Sequence, residues 1–156
     1  MSKNIALRAV QESDLPIFFE HQRDELANRL AAFPARNREA FMAHWAKIMQ
    51  DESVILKTIL FEGQVAGNVL SFVISDEREV GYWLGREFWG KGIATRALSE
   101  FLAQVKERPL YAHVAKHNLA SQRVLEKGGF VVIGEDKKGA DDRGEKVEDF
   151  ILKLDK

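Results

Sequence analysis

The chain predicts an α+β domain in which a mixed, mainly antiparallel central sheet is flanked by helices, in the order β-α-α-β-β-β-α-β-α-β-β. Three observations carry that prediction. Apolar residues alternate with period two in several short runs and recur at helical spacing in others. Two pairs of neighbouring strand-like runs are joined by short turn sequences, as in antiparallel hairpins. In the second half of the chain the helical stretches stand singly between strands, so hairpins and crossovers are mixed and the fold is not doubly wound.

Ile5 to Val10 alternates and reads as a first strand. Ser13 is placed to cap a helix beginning at Asp14, whose charge suits an N-terminal dipole; Leu15, Ile17, Phe18 and Phe19 follow. A second helix is predicted from Asn37 to Gln50, with Phe41, Trp45, Ile48 and Met49 on its apolar side. Val54 to Phe61, Gln64 to Ile74 and Glu79 to Leu84 read as three strands. Glu62-Gly63 joins the first two and Ser75-Asp76-Glu77-Arg78 the next two. Ala94, Leu98, Phe101, Leu102 and Val105 form one helical stripe, and Pro109 ends that segment. Leu110 to Ala115 is a strand, and Leu119 to Lys127 a helix closed by Gly128-Gly129. Phe130 to Gly134 and Val147 to Leu154 are the last strands, separated by the polar stretch Glu135 to Lys146.

With 156 residues, a single domain spanning 1–156 is expected, large enough to bury a core without covalent staples. The chain has no Cys, which excludes disulfides, thiolate zinc sites, iron–sulfur clusters and a cysteine nucleophile and suits a reducing cytosol. Lys and Arg number 23 against 24 Asp and Glu. That balance gives no global field for nucleic acid or an anionic membrane. The opening MSKNIALRAV holds no apolar leader, and Ser2 does not fit N-myristoylation. No apolar run approaches the roughly 18 residues of a membrane span. A cytoplasmic protein with neither nucleic acid nor membrane as partner is the expectation.

The segment from Glu79 to Leu98, EVGYWLGREFWGKGIATRAL, runs from a strand through a glycine turn into a helix. Backbone N–H groups at such a junction suit a phosphate or pyrophosphate. As a phosphate-binding GxxxxGK loop, Gly85 to Lys91 fails because Gly92 stands where Ser or Thr must hold magnesium, and because Arg-Glu-Phe-Trp is too bulky. As a dinucleotide fingerprint, Gly90-Lys91-Gly92-Ile93-Ala94-Thr95 carries Thr at the third glycine and follows antiparallel strands. Taken alone, the segment is equally a turn that merely reverses the chain.

A second segment, HVAKHNLASQRVLEKGGF from His113 to Phe130, changes the balance. The two together resemble the GNAT acetyltransferase superfamily. Its Q/R-x-x-G-x-G/A pattern lies over Trp89 to Ala94, with Trp89 in place of Gln or Arg. Its N-x-x-S-x-x-x-Y/L-x-x-x-G-F pattern is met by Asn118, Ser121, Leu125, Gly129 and Phe130. The opening LRAVQESDL, with Arg8 and Asp14, is similar to the family's first strand and helix start, so the resemblance covers nearly the whole chain. Trp89 resembles the subgroup that modifies ribosomal-protein N-termini, and its relatives. The resemblance implies acetyl-CoA as co-substrate, no metal, and a primary-amine acceptor: a peptide N-terminus, a polyamine or an amino sugar. It implies that Trp83, Leu84, Trp89, Gly90, Lys91, Gly92, Ile93, Ala94, Thr95, Asn118, Ser121 and Leu125 line the cofactor site. Lys91, with Arg86 or Arg96, would assist at the phosphates.

Acyl transfer from a thioester to an amine needs a base, a donor for the oxyanion and an acid for the leaving thiolate. In the family the oxyanion donor is a backbone N–H, here near Trp83 or Leu84. Glu79 and His113 are the candidate bases; each is equally explained as an ordinary strand residue. Ser121 is the candidate acid, because Leu125 stands where many relatives carry tyrosine, although a serine at that helix position also bonds back to its own turn. His113 and His117 form H-x-x-x-H across a strand end and a loop, without a third metal ligand. Lys137-Lys138 beside Asp141-Asp142 reads as a solvated hairpin loop. Phe33 and Pro34 fall where the family's acceptor wall forms. A non-catalytic acyl-CoA-binding sensor is the alternative function, and monomer and homodimer are both open.

Overall fold

The computed structural model describes residues 4–140 and 146–156, and the side chains of these except for 137–140 and 146–147. Seven strands form one sheet in the order β1-β2-β3-β4-β5-β7-β6. β1 (Ile5–Ala9), β2 (Ile55–Phe61), β3 (Gln64–Ile74) and β4 (Glu77–Leu84) pair antiparallel in sequence. β5 (Leu110–Ala115) lies parallel to β4, and β7 (Lys146–Leu154) and β6 (Val131–Ala140) complete the sheet antiparallel. The predicted α+β class and the order of its strands are therefore present.

Helices cover both faces. Ile55 and Leu56 are neighbours on β2 and point to opposite sides. Ile55 joins the larger apolar cluster, built on α4 (Ile93–Gln104) and α5 (Leu119–Lys127). Leu56 joins the smaller one, where α1 (Leu15–Gln22) and α3 (Arg38–Met49) bring Phe18, Phe19, Phe41 and Trp45 together. The α4 stripe buries Ile93, Ala97, Leu98, Phe101 and Leu102, at about 1.5–3 kcal/mol for each large side chain.

Four local features differ from the sequence reading. Ser13 caps nothing: it lies exposed in a 3-10 turn, Glu12–Asp14, ahead of α1. Asp14 is turned instead toward Arg8, Thr58 and the Gln11 amide, where a buried carboxylate gains more than at a helix end. A short helix, α2 (Glu25–Ala31), was not anticipated; Asp24 caps it through the Ala27 N–H (3.0 Å), and Ala32 ends it at φ 53°. The β3–β4 turn is Ser75-Asp76 alone, both residues at positive φ (50° and 66°), with Glu77 and Arg78 already in β4. Such a two-residue turn matches the strand twist and leaves no slack for a longer loop. Finally, β6 runs to Ala140 and β7 starts at Lys146, so the Lys137-Lys138 segment is strand. Asp141-Asp142 lies outside the described residues.

The Arg8–Asp14 pair anchors this end of the sheet. Arg8 donates to both Asp14 oxygens (2.7 and 2.9 Å), Thr58 Oγ1 donates at 2.7 Å, and the Gln11 N–H at 2.9 Å. Burial pushes the Asp14 carboxyl up, but these hydrogen bonds and the Arg8 charge outweigh it and hold the pKa at about 2.

Candidate functional site

The parallel pair at the centre of the sheet is barely a pair. β4 and β5 meet only where Glu79 lies opposite Tyr111. Beyond that point a cleft of about 510 Å³ opens, lined by Val80 to Leu84 on one strand and Ala112 to Ala115 on the other. The start of α4 and one face of α5 close its sides.

Pairing parity decides which backbone groups face the cleft. The Gly85 N–H donates to the Ala66 carbonyl (2.9 Å), and the register continues with Asn68 opposite Trp83. Residues in an antiparallel ladder alternate between facing the partner and facing away. Trp83 therefore turns its amide into β3, while Tyr82 and Leu84 turn theirs toward the cleft. Gly67 is required here by close approach: a Cβ on it would lie 2.1 Å from the Trp83 carbonyl oxygen. Of the two amides read from sequence as candidate oxyanion donors, the one that faces the cleft is that of Leu84.

The glycine turn hangs from the same strand. The Trp89 indole Nε1 donates to the Leu84 carbonyl (3.1 Å), so this side chain ties the turn to β4. Gly90 and Gly92 both stand at φ 75°, and space beyond each Cα is open. The chain thus presents bare backbone at the first turn of α4, whose Ile93, Ala94 and Thr95 line the cleft with Gly90 and Gly92. That is an anion cradle with a helix dipole behind it. Lys91 is exposed and outside the lining, and Arg86 is paired with Asp24 at 3.6 Å. The basic residues that do line the cleft are Arg123 and Lys127, one turn apart on α5.

Asn118 Oδ1 accepts the Ser121 N–H (3.3 Å) and caps α5, fixing the turn that presents Ser121. Leu125, buried one turn on, forms apolar wall. Ser121 Oγ accepts a hydrogen bond from the Tyr82 phenol (2.9 Å). Burial pushes that phenol's pKa up, opposed by the bond to Ser121. Tyr82 escaped the sequence reading, although its even spacing with Val80 and Leu84 put it on their face of the sheet, the one that α4 and α5 cover.

Glu79 and His113, separate candidates in the sequence, come together on the other face. His113 Nε2 lies 3.6 Å from Glu79 Oε2, and Nδ1 lies 3.9 Å from Asp149 Oδ2. These are charge-pairing distances, longer than hydrogen bonds. Burial pushes the Glu79 carboxyl up, the His113 charge opposes it and Glu77 adds to it. Asp149, on β7, had no local signal; only the β5–β7 register, Ala115 opposite Asp149, brings it here. Phe33 and Trp83 meet edge-on (6.2 Å between centroids) at the mouth, and Trp83 Nε1 donates to the His21 carbonyl (3.2 Å). Phe33 lines the cleft, whereas Pro34 is outside its lining. His117 does not join His113: its Nε2 sits 2.7 Å from the Arg29 carbonyl oxygen. Among the described residues no group of three possible ligands is placed to hold a metal ion, and no helix is long and apolar enough to cross a membrane.

The profile of the acetyltransferase (GNAT) domain family matches residues 4–131. YdaF of Bacillus subtilis, which carries the provisional name of a ribosomal N-acetyltransferase, is 28% identical over 109 residues. That alignment covers 65% of this chain and 60% of YdaF, so the chain matches under two thirds of this relative's length. Two solved structures share the fold with TM-scores of 0.81. One is RimL, a ribosomal-protein alpha-N acetyltransferase, in complex with coenzyme A; it is 20% identical, with 99% of this chain and 95% of RimL covered. The other is spermidine N-acetyltransferase from Vibrio cholerae in complex with CoA and spermine, 19% identical, with 96% and 94% covered.

Proposed function

Because the chain belongs to the acetyltransferase (GNAT) domain family, we propose that it transfers an acetyl group from acetyl-CoA to a primary amine by direct attack on the thioester. One observation carries this reading: a single cleft brings open β4 amides and an anion cradle to a histidine flanked by two carboxylates. The pyrophosphate would sit on the bare backbone from Gly90 to Ile93, with Arg123 and Lys127 meeting phosphate charge from α5. The Leu84 N–H is the oxyanion donor, a role worth roughly a hundredfold in rate when such a group is removed.

The amine must lose a proton to become a nucleophile, since a lysine-like amine has a pKa of about 10.4 and an α-amine of about 7.7–8.0. Glu79 and His113 take that proton: the amine nitrogen bonds to the carbonyl carbon, the C–S bond breaks, and the proton stays on the imidazole–carboxylate pair until solvent removes it. Glu79 and Asp149 also favour a cationic acceptor over a neutral one. A polyamine and a peptide N-terminus, the kinds of acceptor named for the two fold neighbours, head the panel to test, followed by an amino sugar. We read the chain as one acetyltransferase domain acting in the cytoplasm, without a metal.

The test is ligand-induced thermal stabilisation followed by a screen of amines for release of free CoA thiol. CoA should raise the melting temperature without magnesium, and at least one amine should be turned over. Stabilisation by ATP or NAD but not CoA would overturn the reading. CoA binding with no amine acetylated would leave the acyl-CoA sensor in its place.

A further inference from the structure

Resting on the acetyltransferase reading, we propose that Tyr82 is a positioning residue for the leaving sulfur, its phenol holding the Ser121 hydroxyl so that Ser121 donates into the cleft. A serine hydroxyl has one proton and rotates freely unless something fixes it. Here the Tyr82 O–H donates to Ser121 Oγ at 2.9 Å, filling an acceptor site on that oxygen. The Ser121 proton is then left to point elsewhere, and the two side chains stand in the lining of the cleft. The backbone of Ser121 is held independently, through its N–H to Asn118 Oδ1. The backbone that carries Ser121 and one acceptor site on its hydroxyl are therefore both held before substrate arrives, which restricts the hydroxyl as a preorganised donor requires.

The chemistry balances without a proton leaving the phenol. As the C–S bond breaks, the electron pair goes to sulfur, and the Ser121 O–H donates a hydrogen bond to the developing thiolate. The thiolate takes its proton from solvent on release, while Tyr82 and Ser121 end as they began. Burial raises the phenol's pKa, which keeps it a donor throughout the working range. The site has a hydroxyl pair spanning β4 and α5 where a single tyrosine on α5 was missing, because Leu125 occupies that position.

The experiment compares Tyr82→Phe, Ser121→Ala and the double variant with an amine the wild type acetylates. Tyr82→Phe should lower kcat roughly 3- to 10-fold, the worth of one orienting hydrogen bond, with KM for acetyl-CoA unchanged within about twofold. Ser121→Ala should cost more, and adding Tyr82→Phe to it should cost nothing further. A second measurement does not depend on that variant folding. The chain has two tyrosines, so fluorotyrosine incorporated in a Tyr111→Phe background labels Tyr82 alone. A more acidic phenol should move the alkaline fall of kcat to lower pH, since a phenolate cannot donate. An unchanged kcat in Tyr82→Phe, losses that multiply in the double variant, or an unmoved alkaline limb would each overturn the proposal. A wild type that acetylates no amine overturns the acetyltransferase reading and this one with it, whereas turnover untouched by Tyr82→Phe overturns this one alone.

Discussion

Asp14→Asn tests whether the buried ion pair at the start of the fold is worth what its geometry indicates. Asn keeps the size of the side chain and removes the charge that Arg8 grips with two hydrogen bonds. The drop of the carboxyl from 3.8 to about 2 corresponds to about 2.5 kcal/mol at 1.36 kcal/mol per pH unit. That is a large share of the roughly 5–15 kcal/mol that holds a domain folded. A depressed carboxyl stabilises above its unfolded pKa, and the contribution is lost as pH falls from about 3.8 through about 2. Denaturant unfolding, followed by the fluorescence of the three tryptophans, should show Asp14→Asn about 2–3 kcal/mol less stable at pH 7. The gap should narrow to about a third by pH 2.5, because the unfolded carboxyl is then protonated and folding must ionise it. Other carboxylates titrate in both proteins and cancel. A gap below about 0.5 kcal/mol at pH 7, or one of equal size at both pH values, would refute the reasoning.

Three further outcomes follow from the site. His113→Gln should lower kcat about 100-fold at neutral pH, within the range for loss of a positioned base, and part of the loss should return at high pH where the amine deprotonates unaided; a pH–rate profile measures both. Gly67→Ala places a Cβ on the Trp83 carbonyl oxygen and should destabilise the chain by at least about 2 kcal/mol through forced separation of β3 from β4, read as a lowered denaturation midpoint. Arg123→Ala with Lys127→Ala should raise KM for acetyl-CoA roughly tenfold and leave kcat near the wild-type value, as expected for groups that bind ground and transition states alike.

Much of the sheet was legible because its strands carry strong periodicity and its hairpins short turn sequences. Gln64–Ile74 and Leu110–Ala115 have the predicted bounds, as has the α5 helix Leu119–Lys127. The α2 helix was not legible: it has only seven residues, too few to declare a period, and it ends in a left-handed Ala rather than a Gly. The far half of β6 was hidden because it is polar, and pairing with β7 makes it a strand. In the site, the glycine cradle and the Asn118–Ser121–Leu125 face were visible as local patterns. The meeting of Glu79, His113 and Asp149 was not, since register alone assembles residues that lie 34 and 36 positions apart in the chain. Tyr82 was missed for a simpler reason: Ser121 alone was read as the substitute for the tyrosine absent at Leu125, and nothing local links it to a phenol on the strand across the cleft.

The early parting of β4 and β5 has a kinetic consequence. On the acetyltransferase reading, the Tyr82 amide it leaves open and the cradle at Gly90 and Gly92 would face the part of the ligand that acetyl-CoA and CoA have in common, and only the Leu84 amide would meet the acetyl carbonyl. Affinity built on shared groups cannot favour substrate over product. Spent CoA should therefore compete with acetyl-CoA at comparable concentration, and its departure should contend with chemistry for the slowest step in turnover.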